Sequence, residues 1–314
     1  MDLVLNVSFP VFGLILCGYL AARLGVLGQQ STQALNGFVY YFALPALLFV
    51  FVARAPVDRI FYWPFLAAFG GGYAITFGVS WLLFRKLYAE RLAARAMRTS
   101  NGVFANTGYM GIPLASTAFG DAAVLPAIMA TVFVSVVMLN VAIALIELDV
   151  AREAGGSRIL RDVGLSMVKN PIVIPVALAT VFPLAGWTLP APVAKFCDLL
   201  GSAAGPCALF ALGMFVATQS LRAGVGEAGL ISFFKLIVQP FVTWLLVTYV
   251  FELEPIWAVT TVLVSALPMG ATCFVLAQRY EVLVNRTSSA TVLSTALSVI
   301  TVTLLLAWLG PSVP

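Results

Sequence analysis

The chain has no histidine, and only 10% of its 314 residues are charged. Without an imidazole, a serine nucleophile lacks its usual base. No Asp or Glu sits in the middle of an apolar run; Asp58, Asp121, Asp198, Glu252 and Glu254 fall at run ends or between runs. A dedicated sodium/proton antiporter is expected to keep ionisable carboxylates in its core. The four cysteines, Cys17, Cys197, Cys207 and Cys273, show no CxxC or metal spacing and read as small packing residues. A phosphate-binding glycine loop is missing too, which excludes direct drive by ATP. No enzymatic activity, metal or cofactor is expected.

What is present is apolar: 61% of the residues are hydrophobic. A soluble domain of this length needs more charge to cover its surface. The chain reads as an all-α polytopic membrane protein. A membrane-crossing helix takes roughly 20 mostly apolar residues. On that basis ten spans are expected, near 3–22, 33–53, 62–84, 99–119, 122–146, 168–187, 196–219, 229–251, 256–278 and 288–309. The first has no basic segment before it and reads as a helix, not a cleavable signal.

The net charge of +4 does not point to nucleic acid, because the cations sit in the connections. With the N-terminus outside, thirteen fall inside: Arg23, Arg85, Lys86, Arg91, Arg95, Arg98, Arg152, Arg158, Arg161, Lys169, Arg222, Arg279 and Arg286. Three fall outside, Arg54, Arg59 and Lys195. Basic residues mark cytoplasmic loops, so both termini are expected outside, periplasmic in a bacterial inner membrane. The longer connection after the fifth span divides the chain into residues 1–150, a linker at 151–166, and residues 167–314. Five spans each force the two halves into opposite senses, which makes them inverted repeats.

The most informative stretch is Phe104-Ala105-Asn106-Thr107-Gly108-Tyr109-Met110-Gly111-Ile112-Pro113. It lies within the fourth span, yet Asn, Thr, two Gly and Pro suit a continuous helix poorly. A broken backbone at membrane depth survives only inside protein or along a polar cavity. A second interruption, Ser265-Ala266-Leu267-Pro268-Met269-Gly270-Ala271-Thr272, lies in the ninth span. Paired broken helices in two halves point to a transporter's substrate site. Each Pro suits the first turn of a second half-helix. Two half-helix N-termini would then aim partial positive charge and free N–H groups at one place. The bland alternative is that these are Pro-kinked membrane helices, as single prolines at 10, 175 and 240 can be. The candidate binding residues are Asn106, Thr107, Gly108, Gly111, Pro113, Pro268, Gly270 and Thr272. Lys235, the one cation inside a span, is expected to snorkel to the cytoplasmic interface; a gating or substrate-attracting role is the sharper reading. Tyr40 and Tyr41 are expected to pack, with one hydroxyl facing the cavity as the alternative.

The run at 104–113 resembles the fourth-helix motif of the auxin efflux carrier family. Phe9-Pro10-Val11-Phe12 with Gly18-Tyr19, Leu44-Pro45, Lys169-Asn170-Pro171 and Leu267-Pro268 are similar to that family as well. The resemblance spans essentially the whole chain, and within the family it is nearest to bacterial malonate permeases. It implies a ten-helix inverted-repeat fold shared with bile-acid symporters and sodium/proton antiporters. It implies a scaffold of spans 1, 2, 6 and 7 and a moving transport domain of spans 3–5 and 8–10. Plant members meet the substrate carboxylate with an Asn at the fourth-span crossover; Asn106 or Asn101 is the matching position, Asn106 favoured. They carry an Asn in the ninth-span break also, where this chain has Thr272 nearby. Pro45 joins the candidates on the same ground. The expected function is secondary transport of small carboxylates, malonate favoured, by an elevator-like shift. Rival readings are a sodium-coupled symporter of a larger organic anion and a membrane anion sensor. Expected partners are the carboxylate, membrane lipid and a second copy of the chain against the scaffold.

Overall fold

A computed structural model describes residues 2–150, 164, 169–221 and 223–309. Among them the regular structure is helical, with one isolated antiparallel bridge between Ala105 and Met269. The helices are α1 (Asp2–Arg23), α2 (Gln29–Ala53), α3 (Trp63–Leu87), α4 (Leu92–Asn101), α5 (Ile112–Phe119) and α6 (Asp121–Asp149). They continue with α7 (Val173–Leu184), α8 (Ala191–Thr218), α9 (Val225–Tyr249), α10 (Pro255–Ser265), α11 (Ala271–Tyr280) and α12 (Val284–Leu309). Helical residues occur within each of the ten expected spans, although several of those spans are only partly helical. Seven stretches are long and apolar enough to cross a membrane, as expected of a polytopic membrane protein. The expected linker, 151–166, lies outside the described residues apart from Gly164.

Three boundaries differ from expectation. Residues 85–98 were expected as a cytoplasmic connection, but α3 runs to Leu87 and α4 starts at Leu92. Arg98 is therefore helical, and it is buried, 1% exposed. Among the described residues of the sixth span, expected at 168–187, the helix covers Val173–Leu184. Pro171 has no N–H, and the Asn170 side-chain oxygen accepts from the Ile172 N–H at 2.9 Å, a local turn that delays the helix. Third, Pro113 does not begin a half-helix. The helical path restarts at Thr107, six residues earlier, through a widened π-type turn over Thr107–Gly111.

That turn has a cause that recurs. Pro45, Pro113 and Pro240 each stand two residues after a π-type turn, at Val39–Ala43, Thr107–Gly111 and Phe234–Val238. A proline inside an α-helix donates no bond and its ring presses on the carbonyl four residues back. Widening the preceding turn relieves that pressure. A fourth such turn, Val134–Met138, is followed at the same register by Asn140, whose side-chain amide donates to the Val136 carbonyl at 2.7 Å.

Two helix groups pack within themselves. α1 lies along α8, and α2 along α7 and the first half of α8. α3 packs on α9, α9 on α12, and α4 on α6. The α1–α8 approach is the closest: a Cβ on Gly18 would lie 2.0 Å from the Phe210 carbonyl oxygen, and one on Gly213 would lie 1.9 Å from that of Ile15. Small residues at membrane helix interfaces permit such backbone contact.

Candidate functional site

The two breaks cross at mid-molecule. The Asn106 N–H donates to the Pro268 carbonyl at 2.9 Å, and the Gly270 N–H donates to the Phe104 carbonyl at 3.0 Å. This pair of bonds satisfies backbone groups that neither helix can use. Gly270 permits the approach, because a Cβ there would lie 3.1 Å from the Phe104 ring and 3.3 Å from the Ala105 oxygen. The Tyr73 hydroxyl accepts from the Ala105 N–H at 3.3 Å, and the Ser294 hydroxyl accepts from the Met269 N–H at 3.2 Å. Thr287, Thr291, Ser294 and Ser298 form a buried stripe at helical spacing along α12. Of these, Ser294 holds the break; the composition and spacing of the stripe were the signal for it, but sequence reasoning did not single it out.

Beside the crossing lies a cavity of about 460 Å³. Asn106, Tyr109, Ala271 and Thr272 line it from the broken spans, Tyr40 and Tyr41 from α2, and Phe215 from α8. Asn106 is 6% exposed, and its side-chain NH₂ has no protein partner. The first-turn amides of Gly108, Tyr109, Ala271 and Thr272 have no carbonyl behind them to bind, as at any helix start. The site therefore offers N–H donors and two positive helix ends around one cavity. The Tyr109 hydroxyl reaches across to the Asn36 carbonyl on α2 at 3.4 Å. Both Tyr40 and Tyr41 line this space.

The other candidates scatter. Thr107 is buried and starts the widened turn. Gly108 and Gly111 are packing positions: a Cβ would meet Thr131 at 3.4 Å and Leu267 at 2.9 Å, respectively. Pro268 lies in the break itself and offers its carbonyl, so it does not start α11; Gly270 precedes that helix. Asn101 is remote from the cavity lining and donates to the Thr287 hydroxyl at 2.9 Å. Pro45 is absent from the lining also, and its place after a widened turn explains it. Pro113 lines a different cavity of about 300 Å³, with Pro10, Ser116, Asp121 and Ser202.

Lys235 does not snorkel. It is 0% exposed, and its ammonium donates to the Ser265 carbonyl at 2.6 Å and to the Gln239 side-chain oxygen at 2.7 Å. Ser265 ends α10, so the lysine sits on the negative end of a half-helix, and it is not among the residues that line the cavity. The four-residue spacing to Gln239 was the signal that the side chain turns inward along its own helix. Replacing Lys235 by alanine should cost about 1.5–3 kcal/mol, the worth of a charged hydrogen bond. Thermal unfolding in detergent checks this; an unchanged midpoint would mean the ammonium contributes nothing to the crossover.

The sequence matches the membrane transport protein family over residues 3–306. The chain belongs to that family, which is the auxin efflux carrier family. It is 32% identical to a Rhizobium meliloti (strain 1021) protein provisionally named a malonate transporter, covering 95% of this chain and 93% of that protein. It is 26% identical to the uncharacterized transporter YfdV of Escherichia coli (strain K12), over 90% and 89% of the two chains. It is 22% identical to auxin efflux carrier component 8 of Arabidopsis thaliana, over 88% and 89%. Family membership makes this a membrane transporter of a small molecule.

Proposed function

We propose that the protein is a secondary transporter of small carboxylate anions, malonate favoured, which binds the anion at the crossover cavity and moves it by an elevator-type shift. The observation that carries this reading is the convergence of two helix starts and the unpartnered Asn106 amide on one cavity. The relative provisionally named for malonate supports the choice of substrate. The packing supports two inverted repeats at 1–150 and 167–314. Advancing each span by five places turns the α1–α8 contact into that of α7 with α2, and returns the α3–α9 contact and the crossover onto themselves. It supports a scaffold of α1, α2, α7 and α8 and a moving body of the other helices. The linings fit two openings along such a seam: the cavity beside Asn106 takes Tyr40 and Tyr41 of α2 and Phe215 of α8, and the one beside Pro113 takes Leu47 and Phe51 of α2 and Gly205 of α8. The distribution of basic residues supports both termini outside, in the bacterial inner membrane, and a homodimer would form through the scaffold.

The test is uptake of radiolabelled malonate into liposomes holding the purified protein, with proton and sodium gradients imposed in turn. Uptake above protein-free liposomes is expected under one gradient. Absence of malonate uptake under both would overturn the substrate, and the same assay on larger organic anions would separate the sodium-coupled alternative.

Asn106→Ala should weaken malonate binding about ten- to a hundredfold, the loss of one hydrogen bond to a charged group. Pro113→Ala should leave affinity unchanged, since Pro113 borders the other cavity. Substrate-induced thermal stabilisation of each purified variant reads both effects. The reverse order of sensitivities would place the anion elsewhere.

A further inference from the structure

We infer that the crossover cavity takes its carboxylate substrate as a monoanion, so that malonate is bound with one of its two carboxyl groups protonated. The inference rests on the carboxylate reading above and adds the charge state of the ligand.

The cavity lining contains no Lys, Arg, Asp or Glu. Its titratable groups are Tyr40 and Tyr41 on α2 and Tyr109 on the turn before α5; α8 and α11 contribute none to the wall. Lys235 is not part of the wall, and its Nζ is committed to the Ser265 carbonyl and to the Gln239 side-chain oxygen. Cys273 follows Thr272 but is buried outside the wall. The positive charge available to a ligand is that of two helix starts, each about half an elementary charge. Together they balance about one negative charge. The Asn106 side-chain amide, buried and without a partner, adds a neutral donor aimed at the same space.

A dianion would bring a second charge against Phe215, Leu212 and the tyrosine rings. An unpaired charge in such surroundings is costly, and a titratable group there neutralises instead. The ligand's second carboxyl can do so by keeping its proton, which then donates to a side-chain oxygen of Gln33 or Asn36 in the same wall. The proton travels with the substrate rather than on a protein side chain.

The experiment compares malonate with malonamate, a permanent monoanion in which one carboxylate is an amide. Binding to the full-length purified protein is measured by calorimetry between about pH 5 and 8, without sodium and then with it. Malonamate should bind with a pH-independent Kd. Malonate should weaken by about tenfold per pH unit above its second ionisation, the slope for one bound proton. If malonamate binds but malonate affinity is flat or rises with pH, the dianion is bound and the inference fails. If sodium restores malonate affinity at high pH, a co-bound cation supplies the missing charge and the inference fails as well. A malonamate Kd that rises with pH in parallel with that of malonate assigns the proton to the protein and overturns it. If neither ligand binds at any pH, the carboxylate reading itself falls, and this inference with it.

Discussion

Replacing Arg98 by alanine should lower stability by about 3 kcal/mol, toward the lower end of the range for stripping a buried ion pair of one partner. The guanidinium is 1% exposed. Its Nε donates to Glu227 at 2.7 Å, its Nη1 to Glu90, and its Cζ lies 3.9 Å from the centre of the Tyr88 ring. These partners tie the start of α9 and the connection before α4 to one point. Loss of Arg98 would leave Glu90 without its cation, while Glu227 keeps Arg286 at 2.6 Å, which moderates the penalty. Thermal unfolding in detergent measures the effect. Arg98→Met combined with Glu90→Gln should recover part of it, because the abandoned carboxylate is then neutral. A single Arg98→Ala variant as stable as the parent would show that the network adds no cohesion.

The α1–α8 seam should be more sensitive still. Alanine at Gly18 or Gly213 would put a Cβ about 2 Å from a backbone oxygen of the facing helix. Neither main chain can yield as a side chain would, so the helices must part along their length. Overpacking usually costs about 1–3 kcal/mol, and a clash with backbone belongs at or beyond the top of that range. In lipid no hydrophobic force returns the helices to contact, because the tails are as apolar as the side chains. Each variant should lose its monodisperse peak in size-exclusion chromatography. Gly13, on the same helix with open space around it, supplies the control: Gly13→Ala should elute as the parent does. Retention of the peak by Gly213→Ala would mean that the seam is not close-packed in the folded protein.

The fold was legible in the sequence because a bilayer imposes a coarse rule that composition reports directly. Apolar runs of sufficient length, the segregation of basic residues and two interrupted spans were enough to place the helices and the crossing. The backbone half of the site was legible for the same reason: Asn106 and Thr272 flank breaks that lipid would not tolerate. Misreadings began where proline was taken as a sign of a helix start. Pro113 sits in continuous helix because a widened turn absorbs it, and no simple period announces such a turn. Lys235 was misplaced because hydropathy gives depth but not direction; only its contacts turn it away from the interface toward Ser265. The cavity walls from α2 and α8 depend on contacts between residues far apart in the chain. Tyr40 and Phe215 carry no mark that distinguishes them from packing aromatics.

The widened turns can be described in another way, as insertions. A π-type turn is an α-helix holding one residue more than its length requires. In α2 the surplus lies at Val39–Ala43 and includes both tyrosines of the cavity. One residue advances an α-helix by about 100°, so neighbours normally look in different directions. The slack in a wider turn lets Tyr40 and Tyr41 share one wall. Deleting a single residue there, with Pro45 replaced by alanine, would regularise the helix and leave its span almost unchanged. It would also swing one of the two rings out of the cavity. Indels of one residue in this segment are thus changes of cavity shape, and the proline two positions downstream acts as a lock that keeps the extra residue in the chain.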